Sequence, residues 1–305
     1  MNHGEEMLRL IKQMNDMCEY QTLMKIRHFS ISLDIFNGNY RELIDHLNIH
    51  NDSQNSLELL GVRNKQKLHT FQREIIRLLH NYIASSLSLT DHARNHYKEL
   101  YSKNNLFPEY QNEINERFTN NALAVFIKDL RQYMQHYQSP GVSSRLQYKK
   151  GEPDFIIKLL LPLEDIKKYS GWHSHSKKFL EEQQDDIDLL DVVEKYHNLI
   201  EDFYDWFSSR QVFIHKEDER KVESHRMKMR QFDISNILLD LLINMKSEEE
   251  FEDNFYQIFS NNEIDIINLT SGKERLATIM NILSHIKDLS PDEIKALQNL
   301  YSNDN

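Results

Sequence analysis

The chain is poor in the residues that turn a backbone. Its 305 residues include 7 glycines and 5 prolines, where average usage would give roughly 21 and 15. So few turn-formers exclude the tight turns of a β-sandwich or barrel and the repeated βα loops of an α/β fold, and they predict an all-α protein. A single cysteine, Cys18, excludes an intramolecular disulfide and a cysteine-built zinc site, and it suits a reducing cytoplasm. The most apolar run, Phe155 to Leu163, carries Lys158 and Pro162 and is too short to span a bilayer. The start, MNHGEEMLRL, lacks the basic and apolar regions of a secretory signal. A soluble cytoplasmic protein without a membrane partner is the expectation. No two glycines lie close together, which removes the phosphate-cradling loops of Rossmann and P-loop proteins. HExxH is absent as well, and no cofactor or metal is expected.

What is present is charge, unevenly spread. The net charge is −11. Residues 1–150 hold 19 Lys and Arg against 16 Asp and Glu, a net of +3, while residues 151–305 hold 18 against 32, a net of −14. The first half also carries 9 of the 15 histidines. A whole-molecule field that attracts nucleic acid is excluded, but a local basic site in the first half is not.

With 39% hydrophobic residues and a mean hydropathy of −0.67, a core must come from narrow apolar stripes on long helices. The spacing predicts a first helix over 4–28, a turn at Asn37-Gly38-Asn39, a second helix from Tyr40 to Asn48 and a polar loop from Asn51 to Ser56. A long helix follows through Phe71, Ile75, Leu79, Tyr82 and Leu87, reaching Tyr101. Phe107-Pro108-Glu109 starts another, and Asn121 is the expected N-cap of a helix ended by Ser139-Pro140-Gly141. Residues 145–161 read as a single β-hairpin turning at Gly151-Glu152-Pro153-Asp154. The helical pattern resumes at Ile187 and runs into a charged, solvated stretch from His215 to Arg230. Ser290-Pro291-Asp292-Glu293 fits a capping box. Residues 1–225 are expected to form a helical bundle with its hairpin, and 226–305 an acidic C-terminal helical extension.

Cys18, alone on an amphipathic helix, reads as structural. His92 and His96 have the i, i+4 spacing of a metal pair but no evident third ligand, and His173 and His175 are a weaker pair still. The remaining candidate is Arg131-Gln-Tyr-Met-Gln-His136. RNA is cut when its own 2′-OH attacks the adjacent phosphate, which needs a proton acceptor, a proton donor and a cation. A histidine, with an ordinary pKa of about 6.5, serves either proton role. An arginine fork binds phosphate oxygens as charge builds. Arg followed by His with four to six residues between them should occur about twice by chance, yet the chain has more such pairs than that. Others include Arg41/His46, Arg63/His69, Arg73/His80 and Arg220/His225. Only Arg131/His136 lies at the end of a short apolar helix, where a reactive imidazole reaches solvent.

At Asp129-Leu-Arg131-Gln-Tyr-Met-Gln-His136-Tyr the chain resembles the HEPN superfamily of helical RNases, toxins and phage-defence factors. Gln132 stands where that motif usually has Asn. Thr90-Asp-His-Ala-Arg-Asn95 and the stretch from Val193 to Trp206 extend the resemblance over roughly residues 65–210. The resemblance implies a dimeric helical bundle whose two motifs face a shared cleft, with Arg131 and His136 catalytic. Asp91, His92 and Arg94 are read as supporting residues facing that cleft, alongside Gln132. It further implies a metal-independent endoribonuclease acting on single-stranded or loop RNA, as a toxin or in abortive phage defence, with an antitoxin or another defence protein as partner. The alternative is a non-catalytic interaction or sensor subunit, which the acidity of the second half favours.

Overall fold

A computed structural model of the chain describes residues 3–48, 59, 61–148 and 155–302. The fold is all-α with one small antiparallel sheet. The polar loop expected at 51–56 and the hairpin turn at 151–154 lie outside the described residues.

Helix α1 covers His3–Asp16 and α2 covers Cys18–Asn48. The expected turn at Asn37-Gly38-Asn39 is instead the interior of α2. The reason is burial: Phe29, Phe36 and Leu43 recur every seven residues, and Phe36 and Leu43 are fully buried. Each such side chain contributes about 1.5–3 kcal/mol, against about 1 kcal/mol for glycine in a helix interior. Asn39 bonds back to the Ile35 carbonyl at 2.8 Å, so its amide supports the helix rather than a turn.

The chain divides into two compact units, Met24–Ile214 and Met1–Leu23 with His215–Asn305. The sequence places its boundary near 225, which falls inside a helix of the second unit, and it does not group the first 23 residues with the C-terminal part.

In the unit Met24–Ile214, α3 (Lys65–Leu100), α4 (Tyr110–Ile114) and α5 (Ala122–His136) are followed by β1 (Ser143–Tyr148), β2 (Phe155–Leu161), α6 (Leu163–Lys167), α7 (Ser174–Glu182), β3 (Ile187–Asp188) and α8 (Leu189–Ile214). Three phenols brace α3 to α8. Tyr82 bonds to the Val193 carbonyl, Tyr196 to Ser86 and Tyr204 to the Leu89 carbonyl, at 3.3–3.4 Å. Partner numbers rise together, so the two helices run parallel. Burial pushes the Tyr196 phenol up to about 12, which keeps it a donor at any physiological pH.

The sheet has the order β1-β2-β3, with Ser143 opposite Leu160 and Leu161 opposite Ile187. The expected hairpin therefore gains a third strand where a helix was expected to begin. Lys158 fixes this short pairing through Asp188 at 2.6 Å, a contact 30 residues away in sequence.

In the other unit, α9 (Lys216–Asn244) carries α1. Lys221 bonds Glu19 at 2.7 Å, and His225 Nε2 meets the Leu10 carbonyl at 2.9 Å. The Lys221 ammonium holds the Glu19 carboxyl down to about 2. Beyond α9 lie α10 (Glu248–Glu252), α11 (Asn261–Asn268), α12 (Gly272–Ile286) and α13 (Pro291–Leu300), around a core that includes Leu238, Phe251, Ile267, Ile279, Leu283 and Leu297. Both arms of the expected Ser290/Glu293 capping box form.

Candidate functional site

Helix α5 presents the Arg131/His136 motif. Asn121 caps its start by accepting from the Ala124 N–H at 3.1 Å, as its sequence position predicts. Phe126, Ile127, Leu130 and Tyr133 fix its buried face. At its end the N–H groups of Tyr137 and Gln138 both reach the Tyr133 carbonyl, at 2.9 and 3.1 Å. Backbone groups therefore close the helix, and His136 stands exposed as its last residue.

Arg131 is half-buried, and its Nε is out of water with no hydrogen-bond partner. Among the described residues no carboxylate pairs with it. At 100° per residue, Arg131 and His136 lie about 140° apart around α5. They flank the helix rather than share a face. Gln132 is exposed on the same side as His136.

Asp129, on the same helix, was not singled out for a role by sequence reasoning. Its side chain is 3% exposed and accepts three hydrogen bonds. These come from the His173 backbone N–H at 2.9 Å, His173 Nδ1 at 2.7 Å and the Ser176 hydroxyl at 2.6 Å. The imidazole so held is 70% exposed. A signal was present: a carboxylate on an apolar stripe between Phe126 and Tyr133 must find donors when it is buried. The ring contacts Phe126–Phe179 at 4.5 Å and Tyr133–Trp172 at 5.7 Å set α7 antiparallel to α5, which brings His173 level with Asp129.

Three of the proposed supporting residues, Asp91, His92 and Arg94, lie on α3. Tyr110 stacks on Tyr97 with centroids 3.8 Å apart, and the chain then enters α5. The chain leaving α5 reaches Val142, whose carbonyl accepts from Gln72 at 2.9 Å. Thus α5 runs back along α3 from the Tyr97 end to the Gln72 end. His92 follows Gln72 by 20 residues, about 30 Å along the axis. Among the described residues no hydrogen bond or ion pair joins Asp91, His92 or Arg94 to Arg131 or His136. Asp91 and Arg94 pair with each other at 3.1 Å on the surface, and His92 bonds Ser32 at 2.8 Å. His96 turns the other way, buried against Phe29 and within 2.6 Å of the Gln211 amide, so it shares no site with His92.

The other pairs of similar spacing have different fates. His46 is packed on Phe71, Arg220 pairs with Glu217 and His225 holds Leu10. His69 and Arg73 line a groove of about 490 Å³ with Gln66, Gln72, Gly141 and Val142, beside the segment that leaves α5. Cys18 is exposed, with its thiol 3.2 Å from the Glu19 carboxylate, and that contact raises the thiol pKa. No described helix is long and apolar enough to cross a membrane. The chain matches no protein-family description, no curated protein and no solved structure.

Proposed function

We propose that the chain is a metal-independent endoribonuclease of the HEPN type, acting as a toxin or in abortive phage defence and cutting single-stranded or loop RNA at α5. One observation carries this reading: among the described residues neither the Arg131 Nε nor the His136 imidazole has a hydrogen-bond partner. The helix end is closed without the imidazole, and the unpartnered Nε of Arg131 is buried. A buried donor left unpaired is unfavourable by about 1–3 kcal/mol, so such a group suits an anionic ligand that arrives later. The groove containing His69 and Arg73 adds cationic and amide donors for a backbone phosphate beside the same helix end.

In the reaction the 2′-oxygen forms a bond to phosphorus as its proton leaves to a base. The bond from phosphorus to the 5′-oxygen breaks, and an acid protonates that oxygen. A 2′,3′-cyclic phosphate and a 5′-hydroxyl result. His136 moves protons, and Arg131 balances the charge that develops on phosphorus. Unstacked nucleotides alone reach the in-line geometry. Because Arg131 and His136 flank α5, a two-fold dimer that sets two motifs together supplies a complete set of groups, and light scattering at micromolar concentration tests that.

A second reading, an interaction subunit with a protein partner, is favoured by apolar side chains that the C-terminal part leaves exposed, among them Ile243, Tyr256 and Leu269. The deciding experiment is expression toxicity with RNA profiling for wild type and His136→Ala, together with cleavage in EDTA. Cleavage that persists in EDTA and disappears in His136→Ala supports the ribonuclease. Equal cleavage by both proteins, or its loss with EDTA, removes it and leaves the interaction subunit.

A further inference from the structure

We infer that His173, held by the buried Asp129 carboxylate, is the second proton-transfer group of this site and serves as the general base; the inference rests on the ribonuclease reading above. Two residues seven apart on an α-helix differ by about 20° around the axis and about 10 Å along it. Asp129 and His136 therefore share one face of α5, and Arg131 does not. Helical side chains lean toward the N-terminus, so the His136 imidazole leans back toward the level of Asp129 and His173. Lys128 and Gln132 are exposed on the same edge of α5. The edge thus presents an imidazole at each end, with an ammonium and an amide between them. This set supplies a base, an acid and donors for the phosphate, and Arg131 of a second copy, in the two-fold dimer proposed above, completes it.

The hydrogen bonds assign the roles. Asp129 Oδ1 lies 2.7 Å from His173 Nδ1, and a carboxylate beside Nδ1 accepts its N–H. The neutral ring then carries its lone pair on Nε2, the nitrogen free to take a proton. Asp129 is a positioning residue: its other two donors, the His173 N–H and the Ser176 hydroxyl, lock the carboxylate so that the ring keeps one orientation. This is the logic by which a carboxylate fixes the tautomer of a catalytic imidazole. In the step itself, His173 Nε2 takes the 2′-OH proton as the 2′-oxygen bonds to phosphorus. Protonated His136 gives its proton to the departing 5′-oxygen. The other titratable groups on the two packed elements are Lys128, Arg131 and Tyr133 on α5, and His175, Lys177, Lys178, Glu181 and Glu182 on α7.

The test is the pH–rate profile of RNA cleavage for wild type, His173→Ala, Asp129→Asn and Ser176→Ala, each with its circular dichroism. Wild type should give a bell: the rate rises with pH while the base must lose a proton and falls where the acid loses its own. His173→Ala should lower the rate on the order of 10²–10⁴-fold, lose the rising limb and recover rate with added imidazole. Asp129→Asn should lower the rate at unchanged substrate KM. If Asp129→Asn unfolds, His173→Ala still decides, because it leaves Asp129 its other two donors. Ser176→Ala, which removes one of the donors that lock the carboxylate, should lower the rate less than Asp129→Asn does and keep both limbs of the bell. His173→Ala with wild-type rate and profile overturns this inference and leaves the ribonuclease reading standing. A wild type that cuts no RNA overturns both.

Discussion

The His197 imidazole lies flat on the Tyr40 ring, with centroids 3.4 Å apart and planes 3° from parallel. Its Nδ1 is buried without a hydrogen-bond partner, and its Nε2 is 3.3 Å from Glu201. Burial pushes this histidine below its ordinary value, against the opposing pull of Glu201. His46 is lowered by burial too.

These two groups set a pH dependence of stability. Between the lower pKa of the fold and about 6.5, the unfolded chain binds protons that the fold refuses. Stability therefore rises with pH through this window and falls as pH drops below about 6.5. Urea midpoints at pH 7.5 and 5.5 should show the loss. His197→Phe, which keeps the ring and removes the proton site, should shrink it without abolishing it, since His46 remains. An unchanged pH slope in that variant would refute the assignment.

Gly38 is the clearest place to stabilise the protein. A Cβ there meets nothing within 4 Å, and the backbone is helical. Gly38→Ala should raise stability by about 0.5–1 kcal/mol, read as a higher urea midpoint at an unchanged slope. A drop would mean that α2 is interrupted there after all.

Asn121 holds the start of the helix that carries the motif. Asn121→Ala should lower stability by about 1 kcal/mol, while Asn121→Asp keeps the cap. Equal losses in both variants would remove the capping account.

Arg131 separates function from stability. Its unpaired Nε predicts that Arg131→Leu melts no lower than wild type. RNA cleavage should nevertheless fall on the order of 10²–10³-fold, as for loss of one transition-state charge stabiliser. A variant that loses activity and melting temperature together points to a packing role instead. Arg41→Ala and Arg220→Ala, with the same spacing but no such setting, should cut RNA at the wild-type rate.

The scarcity of glycine and proline was enough to read the fold class, because the tight turns of sheet-rich folds draw heavily on those residues. The caps at Asn121 and Ser290 and the paired strands of residues 143–161 were legible for a similar reason: each is set by side chains within a few residues of one another. The continuation of α2 through Gly38 was not, since burial of Phe36 and Leu43 outweighs a local turn preference that sequence windows overrate. The strand Ile187–Asp188 depends on Lys158 and on the β2 edge, and the grouping of residues 1–23 with the C-terminal part depends on Leu10 and Glu19 meeting His225 and Lys221.

The same division holds at the candidate site. Arg131 and His136 were visible in sequence as a spacing. Which groups share a face with His136 was a matter for the tertiary structure, because Asp129 meets His173 across 44 residues. Helical periodicity places a side chain on a face; only the packing of a second helix decides what waits there.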